Sequence, residues 1–228
     1  MSISVIIPTY NEADTISETI EKVRRASDKQ LTEIIVADGG STDGTVQQAE
    51  AMNVRTLKSP KKGRAAQMNH GAKQARGDIL YFLHADTHPP SHFDTSIKKA
   101  QENGYESGCF QLTFDHNHPL LRFYAWFTRF DIDLFRFGDQ SLFINRTIFD
   151  QIGGFREDYI VMEDQEITRR IKKHSSFIIL DNSVTTSAQK YQRNGIIKLQ
   201  LVFSLILFLY YLGADQKQLT AIYKCFID

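Results

Sequence analysis

The residues able to do chemistry stand where runs of apolar residues turn polar. Asp38 follows the apolar run 34–37, and His84 and Asp86 follow the run 79–83. Such a run entering a polar tip reads as a strand buried on both faces, its tip at the exposed end. His84 and Asp86 are two positions apart and share one side of an extended chain. A carboxylate there suits a hard divalent cation, magnesium or manganese, and the phosphates it bridges; the plainer reading is that Asp86 begins the turn before Pro89 and Pro90. Asp38 suits hydrogen bonds from ribose hydroxyls and a pyrimidine N–H. Pro8, Thr9, Tyr10, Asn11 and Glu12 follow another strand-like run and offer backbone groups with two polar side chains. Lys61, Lys62 and Arg64, around Gly63, put positive charge at a helix start, where phosphates or nucleobase carbonyls are held well. Glu163 and Asp164 open a helix after the Gly153-Gly154 bend. Asp164 is placed there to take a proton from an incoming hydroxyl, or serves only as a helix-start residue favoured by the macrodipole.

The elements that must position these groups are legible in outline. Residues 3–7 and 33–38 read as buried strands, 54–57 as a weaker one and 79–83 as a fourth. Between them lie helical patterns: Ile16, Ile20 and Val23 form one stripe, and Ala65, Met68, Ala72 and Ala75 form a small-residue face. This β-α-β-α-β-α-β order with short loops predicts a mostly parallel sheet covered by helices, with ligands beyond the carboxyl ends of the strands. Further on we expect a helix from Pro90 to about Gly104, a half-buried strand at 108–114 and another at 141–144. A short helix should end at Gly153, and strands are expected at 177–180 and 184–187. Residues 120–137 read as one helix, with Phe123, Phe127, Phe130, Leu134 and Phe137 on a face and Arg122, Arg129 and Arg136 every seven residues. That helix is either core with solvated arginines or a surface that meets a membrane or a lipid-bearing substrate.

The chain has 228 residues, 42% hydrophobic and 24% charged, with formal net charge +0. Those values suit one large domain with an appendage and give no basic excess to attract nucleic acid. Cys109 and Cys225 lie far apart in no ligand pattern, His116 and His118 lack a third partner for zinc, and no signal-peptide pattern opens the chain. A reduced, cytoplasmic setting is the expectation. The apolar segment 201–212 would be about 18 Å long as a helix against roughly 30 Å of hydrocarbon. It is too short to span. It fits an interfacial helix at the inner face of the plasma membrane, a homodimer contact, or a hairpin packed on the main domain. Neither G-x-G-x-x-G after the first strand nor G-x-x-x-x-G-K-[ST] is present, which counts against dehydrogenases and P-loop enzymes.

Taken in order, these motifs resemble family 2 glycosyltransferases of the GT-A fold. The resemblance rests on residues 5–12, 36–45, Gly63-Arg64-Ala65, His84-Ala85-Asp86, Gly153-Gly154-Phe155 and Glu163-Asp164, and covers roughly residues 3–190. It implies a Rossmann-like GT-A domain over 1–190 and a helical tail over 191–228. It also implies sugar transfer from a nucleotide-diphosphate donor, a UDP-sugar first, to an acceptor hydroxyl, with inversion and a divalent metal. It assigns Asp38 to the base, Asp86 to the metal and Asp164, beside Glu163, to catalysis. The first position of the family's Asp-x-Asp motif is His84 here. A narrower likeness, through residues 83–87, Gly138-Asp139-Gln140 and 187–195, is to a bacterial subgroup associated with arsenosugar biosynthesis. It implies that Asp139 and Gln140 line the acceptor side, while Gln192-Arg193 resembles the loop that closes over the diphosphate in processive relatives, with Asn194 following and those relatives' tryptophan missing. The acceptor is left open, a lipid-linked one among the candidates. Two other readings compete: a sugar-phosphate nucleotidyltransferase, against which the glycine-free residues 8–12 speak, and a non-catalytic, membrane-associated nucleotide-sugar-binding protein.

Overall fold

The computed structural model describes residues 1–28 and 31–227, apart from the side chains of Leu31 and Thr32. Strands β1 (Ile3–Thr9), β2 (Leu31–Asp38), β3 (Arg55–Lys58) and β4 (Ile79–Phe82) alternate with helices α1 (Ile16–Ala26), α2 (Thr45–Ala51) and α3 (Arg64–Gln74). They pair in parallel, as the alternation predicts. The chain continues through β5 (Thr87–His88), α4 (Phe93–Glu102), β6 (Ser107–Phe114), α5 (Pro119–Trp126), β7 (Leu142–Asn145) and α6 (Arg146–Gln151). It then forms α7 (Glu163–His174), β8 (Phe177–Thr186), α8 (Gln189–Asn194), α9 (Ile196–Tyr211) and α10 (Gln216–Phe226). One sheet results, in the order β3-β2-β1-β4-β7-β6-β8-β5, with β7 antiparallel to both neighbours.

Alternation along the strands feeds two cores, one on each face. Ile3, Val5 and Ile7 of β1 and Tyr81 of β4 pack with Ile16, Ile20, Phe93 and Ile97 from α1 and α4. Ile6, Leu80 and Phe82 pack on the opposite face with Met68, Phe149, Ile167 and Ile171 from α3, α6 and α7. Each fully buried aliphatic side chain contributes about 1.5–3 kcal/mol of transfer free energy, so a slip of one residue in β1 would turn both cores inside out. Helix α3 lies close to the sheet because Gly71 has no side chain; a Cβ there would run into Ile6.

Three expectations change. The aromatic segment is not one helix: α5 stops at Trp126, and short 3-10 turns at Phe127–Arg129, Asp133–Phe135 and Gly138–Gln140 carry the chain back to the sheet. Nor are its arginines all solvated. Arg136 is 2% exposed and donates to Cys109 Sγ at 3.3 Å, Thr128 O at 2.6 Å and Phe130 O, which draws the chain off the helical path. The two late strands are one, β8, whose pairing with β6 skips Asp181 and Asn182 as a bulge.

The C-terminal segments form a helical hairpin. Leu199, Val202 and Ile206 of α9 pack with Leu219 of α10 and with Val161 and Met162, the residues leading into α7. Arg169 of α7 lies 5.1 and 4.7 Å from the ring centres of Tyr210 and Tyr211. Among the described residues no helix is long and apolar enough to cross a membrane.

Candidate active site

The parallel register puts Thr9 beside Asp38 and Ile6 beside Phe82, so the loops after β1, β2 and β4 leave one edge of the sheet. Gln67 of α3, 4% exposed, clamps two of these strand ends through its side-chain amide, donating to Thr9 O and to Ala37 O at 3.1 Å. The loops then tie to each other. Asn11 N donates to Ser41 Oγ at 2.8 Å, Thr42 N to Asn11 Oδ1 at 3.0 Å, and Glu12 N to Thr45 Oγ1 at 2.8 Å. Asn11 takes the left-handed conformation, with φ 56°, that this crossing requires. Asp38 departs from its expected role as a free group for the base. It is 2% exposed, and its carboxylate accepts Gly40 N at 2.8 Å, Ser41 N at 3.0 Å, Ser41 Oγ at 2.5 Å and Thr9 Oγ1 at 3.4 Å. These four bonds use the acceptor capacity of an ionised carboxylate, so Asp38 shapes the loop that a base would meet.

Past β4 the chain reaches His84, which exchanges a hydrogen bond with Asp139 Oδ1 through Nδ1 at 2.9 Å. Asp139 rides on the last 3-10 turn, and Gly138 next to it faces the start of α7. A Cβ on Gly138 would stand 2.7 Å from both the Asp164 carboxyl carbon and His84 Cε1. The glycine is what lets the acidic start of α7, the histidine and the 3-10 turn converge. Between them lies a cavity of about 20 Å³, room for about one water, lined by His84, Gly138 and Asp164. Met162, with φ 66°, turns the chain into α7, and Arg64 Nη1 reaches Glu163 Oε1 at 3.0 Å.

The electrostatics separate the carboxylates. Burial, then the neighbouring charge of Glu163, pushes the Asp164 carboxyl up to about 7, against the opposing pull of His84 and Arg64. Asp139 goes the other way. Burial works against its charge, but the bond and charge of His84, with Arg64 and Lys190, hold it below the usual carboxylate range. Burial and Arg64 disfavour a charged His84, yet Asp139 and Asp164 carry its pKa above the ordinary histidine value. Glu163 is 2% exposed and paired with Arg64, whereas Asp164 lines the small cavity.

A cation would meet Asp86. Half-buried at the tip, its side chain accepts from Thr87 Oγ1 at 3.4 Å, while its backbone oxygen receives Ser187 N at 3.1 Å. Burial raises the pKa of Glu12, and the charge of Asp86 raises it further. A carboxyl at Glu12 whose ionisation the charge of Asp86 disfavours marks a place where a cation gains. Among the described residues no three His, Cys, Asp or Glu side chains converge to hold a metal by themselves. The donor set therefore suits a cation that arrives with phosphate oxygens and keeps its waters, as magnesium and manganese do.

Of the expected site residues, the structure couples Glu12 to Asp86 and to Arg64, and Arg64 in turn to Asp139 and Asp164, which also feel His84 and, for Asp164, Glu163. Pro8 and Thr9 end β1 and are buried, Tyr10 is exposed, Gly63 starts α3, and Ala85 is buried with its oxygen accepting Thr19 Oγ1 at 2.6 Å. Gln140 does not line an acceptor face: it is 1% exposed and donates to Phe110 O at 3.1 Å, so it holds the 3-10 turn to β6. Gln192 and Arg193 are exposed on α8. Sequence reasoning missed Gly138, Gln67 and Lys190. A glycine immediately before a polar pair could have flagged the first. Lys190 carries no local signal, because its field on Asp139 and Glu12 depends on the turn at Ala188.

The sequence from residue 4 to 157, more than half of the chain, matches the model of Glycosyl transferase family 2. The chain belongs to that family. Among curated proteins it is 32% identical over 109 residues to a dolichol-phosphate mannosyltransferase of Pyrococcus furiosus, covering 46% of this chain and 31% of the relative. It is 26% identical over 183 residues to the glycosyltransferase AglE of Haloferax volcanii, covering 74% and 60%. The chain thus spans between a third and three-fifths of these relatives' lengths. Among solved structures, S. aureus TarS in complex with UDP-GlcNAc superposes with TM-score 0.69 at 18% identity, covering 82% of this chain and 58% of that one. The mannosyltransferase PcManGT from Pyrobaculum calidifontis, in complex with GDP-Man and Mn2+, gives 0.70 at 20% identity, covering 97% and 69%. The fold is GT-A-like, a mostly parallel sheet between helices with helices at the C-terminus.

Proposed function

We propose that the chain transfers a sugar from a nucleoside-diphosphate donor, a UDP-sugar first among the candidates, to an acceptor hydroxyl, inverting the anomeric carbon. The observation that carries this reading is Asp164: one carboxyl, raised to about 7, held by Gly138 and His84 opposite the strand tip that bears Asp86. A group of that pKa is basic enough to take a proton and is substantially ionised at neutral pH. Asp164 accepts the proton of the acceptor hydroxyl. That oxygen bonds to the anomeric carbon as the bond to the donor's phosphate breaks, and the electron pair leaves with the nucleoside diphosphate. A single base on the face opposite the leaving group implies inversion.

The loops shaped by Asp38 and Asn11 receive the nucleoside, and Arg64 with Lys190 offsets the charge of the phosphates. Asp86, with Glu12 beside it, would hold magnesium or manganese, which supplies positive charge to the departing diphosphate. His84 keeps Asp139 ionised and orients the 3-10 turn. We assign these tasks to residues 1–190, on which the tail 191–228 packs as a helical appendage. Asp139 is the position through which the narrower, arsenosugar-associated resemblance extends to the acceptor, and Gln192 and Arg193 are the ones that would close over the diphosphate.

The test is turnover of a nucleotide sugar, followed by release of nucleoside diphosphate. Asp164→Asn should lose about a thousandfold or more, within the range of a general base. A variant within threefold of wild type, or pyrophosphate as the product, would overturn the reading.

A further inference from the structure

A second cavity lies behind the catalytic one. It is a groove of about 390 Å³ between the 3-10 turns after α5 and the outer flank of α9. Its walls are apolar almost throughout: Phe127, Leu134 and Phe137 on one side, Leu207 and Phe208 on the other, with Gln200 and Ser204 the polar exceptions on α9. That volume is within the range of small-molecule sites, about 300–1,000 Å³, but the convergent polar groups that orient a compact ligand are few. An occupant must therefore be mainly hydrocarbon.

Phe137 says which hydrocarbon. It lines this groove and also the small cavity that holds Asp164, His84 and Gly138. Groove and small cavity therefore adjoin at Phe137, and a molecule lying in the groove has one end beside the ring that borders the base. The surface around the mouth continues the same chemistry, since Phe123, Trp126, Phe130, Leu201 and Phe208 are all exposed. A folded second copy could cover that surface, but it could not thread an end to Asp164.

We infer that the groove seats the hydrocarbon chain of a single-chain amphiphilic acceptor whose headgroup hydroxyl is presented to Asp164. This inference rests on the glycosyl-transfer reading and names its acceptor class. The bonds made and broken are those of that reading: the headgroup oxygen bonds to the anomeric carbon, its proton goes to Asp164, and the nucleoside diphosphate leaves.

Trp126, the chain's one tryptophan, packs edge-on against Phe127 with ring centres 5.2 Å apart and is a built-in reporter. The full chain is titrated with 1-monolauroylglycerol below its critical micelle concentration, with glycerol, and with phosphatidylcholine vesicles. We expect a saturable fluorescence change with the monoacylglycerol and none with glycerol at a thousandfold higher concentration. Ser204→Phe, at an exposed position, fills the groove and should weaken binding at least tenfold. Phe208→Ala opens a wall and should weaken it three- to tenfold. Stabilisation by UDP with manganese should be the same in both variants as in wild type. If that stabilisation is missing from wild type, the donor reading fails while the lipid titration still judges the groove. Three results would overturn the inference: undiminished monoacylglycerol binding in Ser204→Phe; vesicle adsorption without binding of the monomeric lipid; or light scattering that shows a dimer broken by Ser204→Phe, which makes the occupant a second copy.

Discussion

Two buried charged residues organise the two halves of this site, and they do it differently. Asp38, on the donor side, is satisfied within its own turn: three of its four hydrogen bonds come from Gly40 and Ser41, and the fourth from Thr9 on the adjacent strand. Arg136, on the proposed acceptor side, donates through its two terminal nitrogens to Cys109 Sγ and to the carbonyls of Thr128 and Phe130, while its buried Nε finds no partner among the described residues. The first is a local turn that pins strand ends in a parallel sheet. The second is a cation acting as the hub of an irregular loop, with partners that carry no side-chain signature. The donor half is therefore stiff and polar to its edge. The acceptor half is irregular and leaves aromatic surface uncovered.

That difference can be broken at its meeting point, Gly138. Gly138→Val would push into Asp164 and His84, displacing the base from the donor side. Turnover should fall about a hundredfold, the scale on which misplacement of a reacting group by an ångström acts, with nucleotide binding kept. Steady-state kinetics beside a nucleotide titration would show it, and equal losses in both would mean that the halves are not separable. Arg136→Met should then strike stability. It takes the side-chain donor from the Phe130 carbonyl at about 1–3 kcal/mol and leaves the Thr128 carbonyl to Gln140 alone, and calorimetry should report a fall in Tm of several degrees.

The smallest effect is in pH. Asp164 must be ionised to accept a proton, so below its value of about 7 the rate should fall about tenfold per pH unit, and above it the rate should level off. Stability should run the other way. A carboxyl whose folded pKa lies above its ordinary value near 3.8 binds a proton more tightly when folded, so its contribution is complete below 3.8 and is lost as pH rises through 7. Asp164→Asn should remove both slopes, and a wild-type profile flat from pH 5 to 8 would contradict the assignment.

The same contrast explains what could be read from the sequence. Residues 3–83 alternate strands and helices with caps and glycine turns next to them, and the parallel half of the sheet follows in register. The polar tips of those strands point to Glu12 and Asp86, and the basic start of α3 points to Arg64. Residues 119–141 defeat the same reading, because aromatic spacing that fits one helical face is equally compatible with short 3-10 turns. The choice between them is made by carbonyls that Arg136 and Gln140 reach across the fold. Asp38 is a subtler case: its position was legible, but the saturation of its carboxylate by its own loop was not. Lys190 and Gly138 join the site through tertiary placement alone.

The strand tip and the start of α7 divide the labour, and thermal shift with UDP and manganese separates the two parts. Wild type and Asp164→Asn should both be stabilised by nucleotide and metal together, and Asp86→Asn should lose the metal-dependent part. Retention of that part in Asp86→Asn, or its loss in Asp164→Asn, would contradict the division.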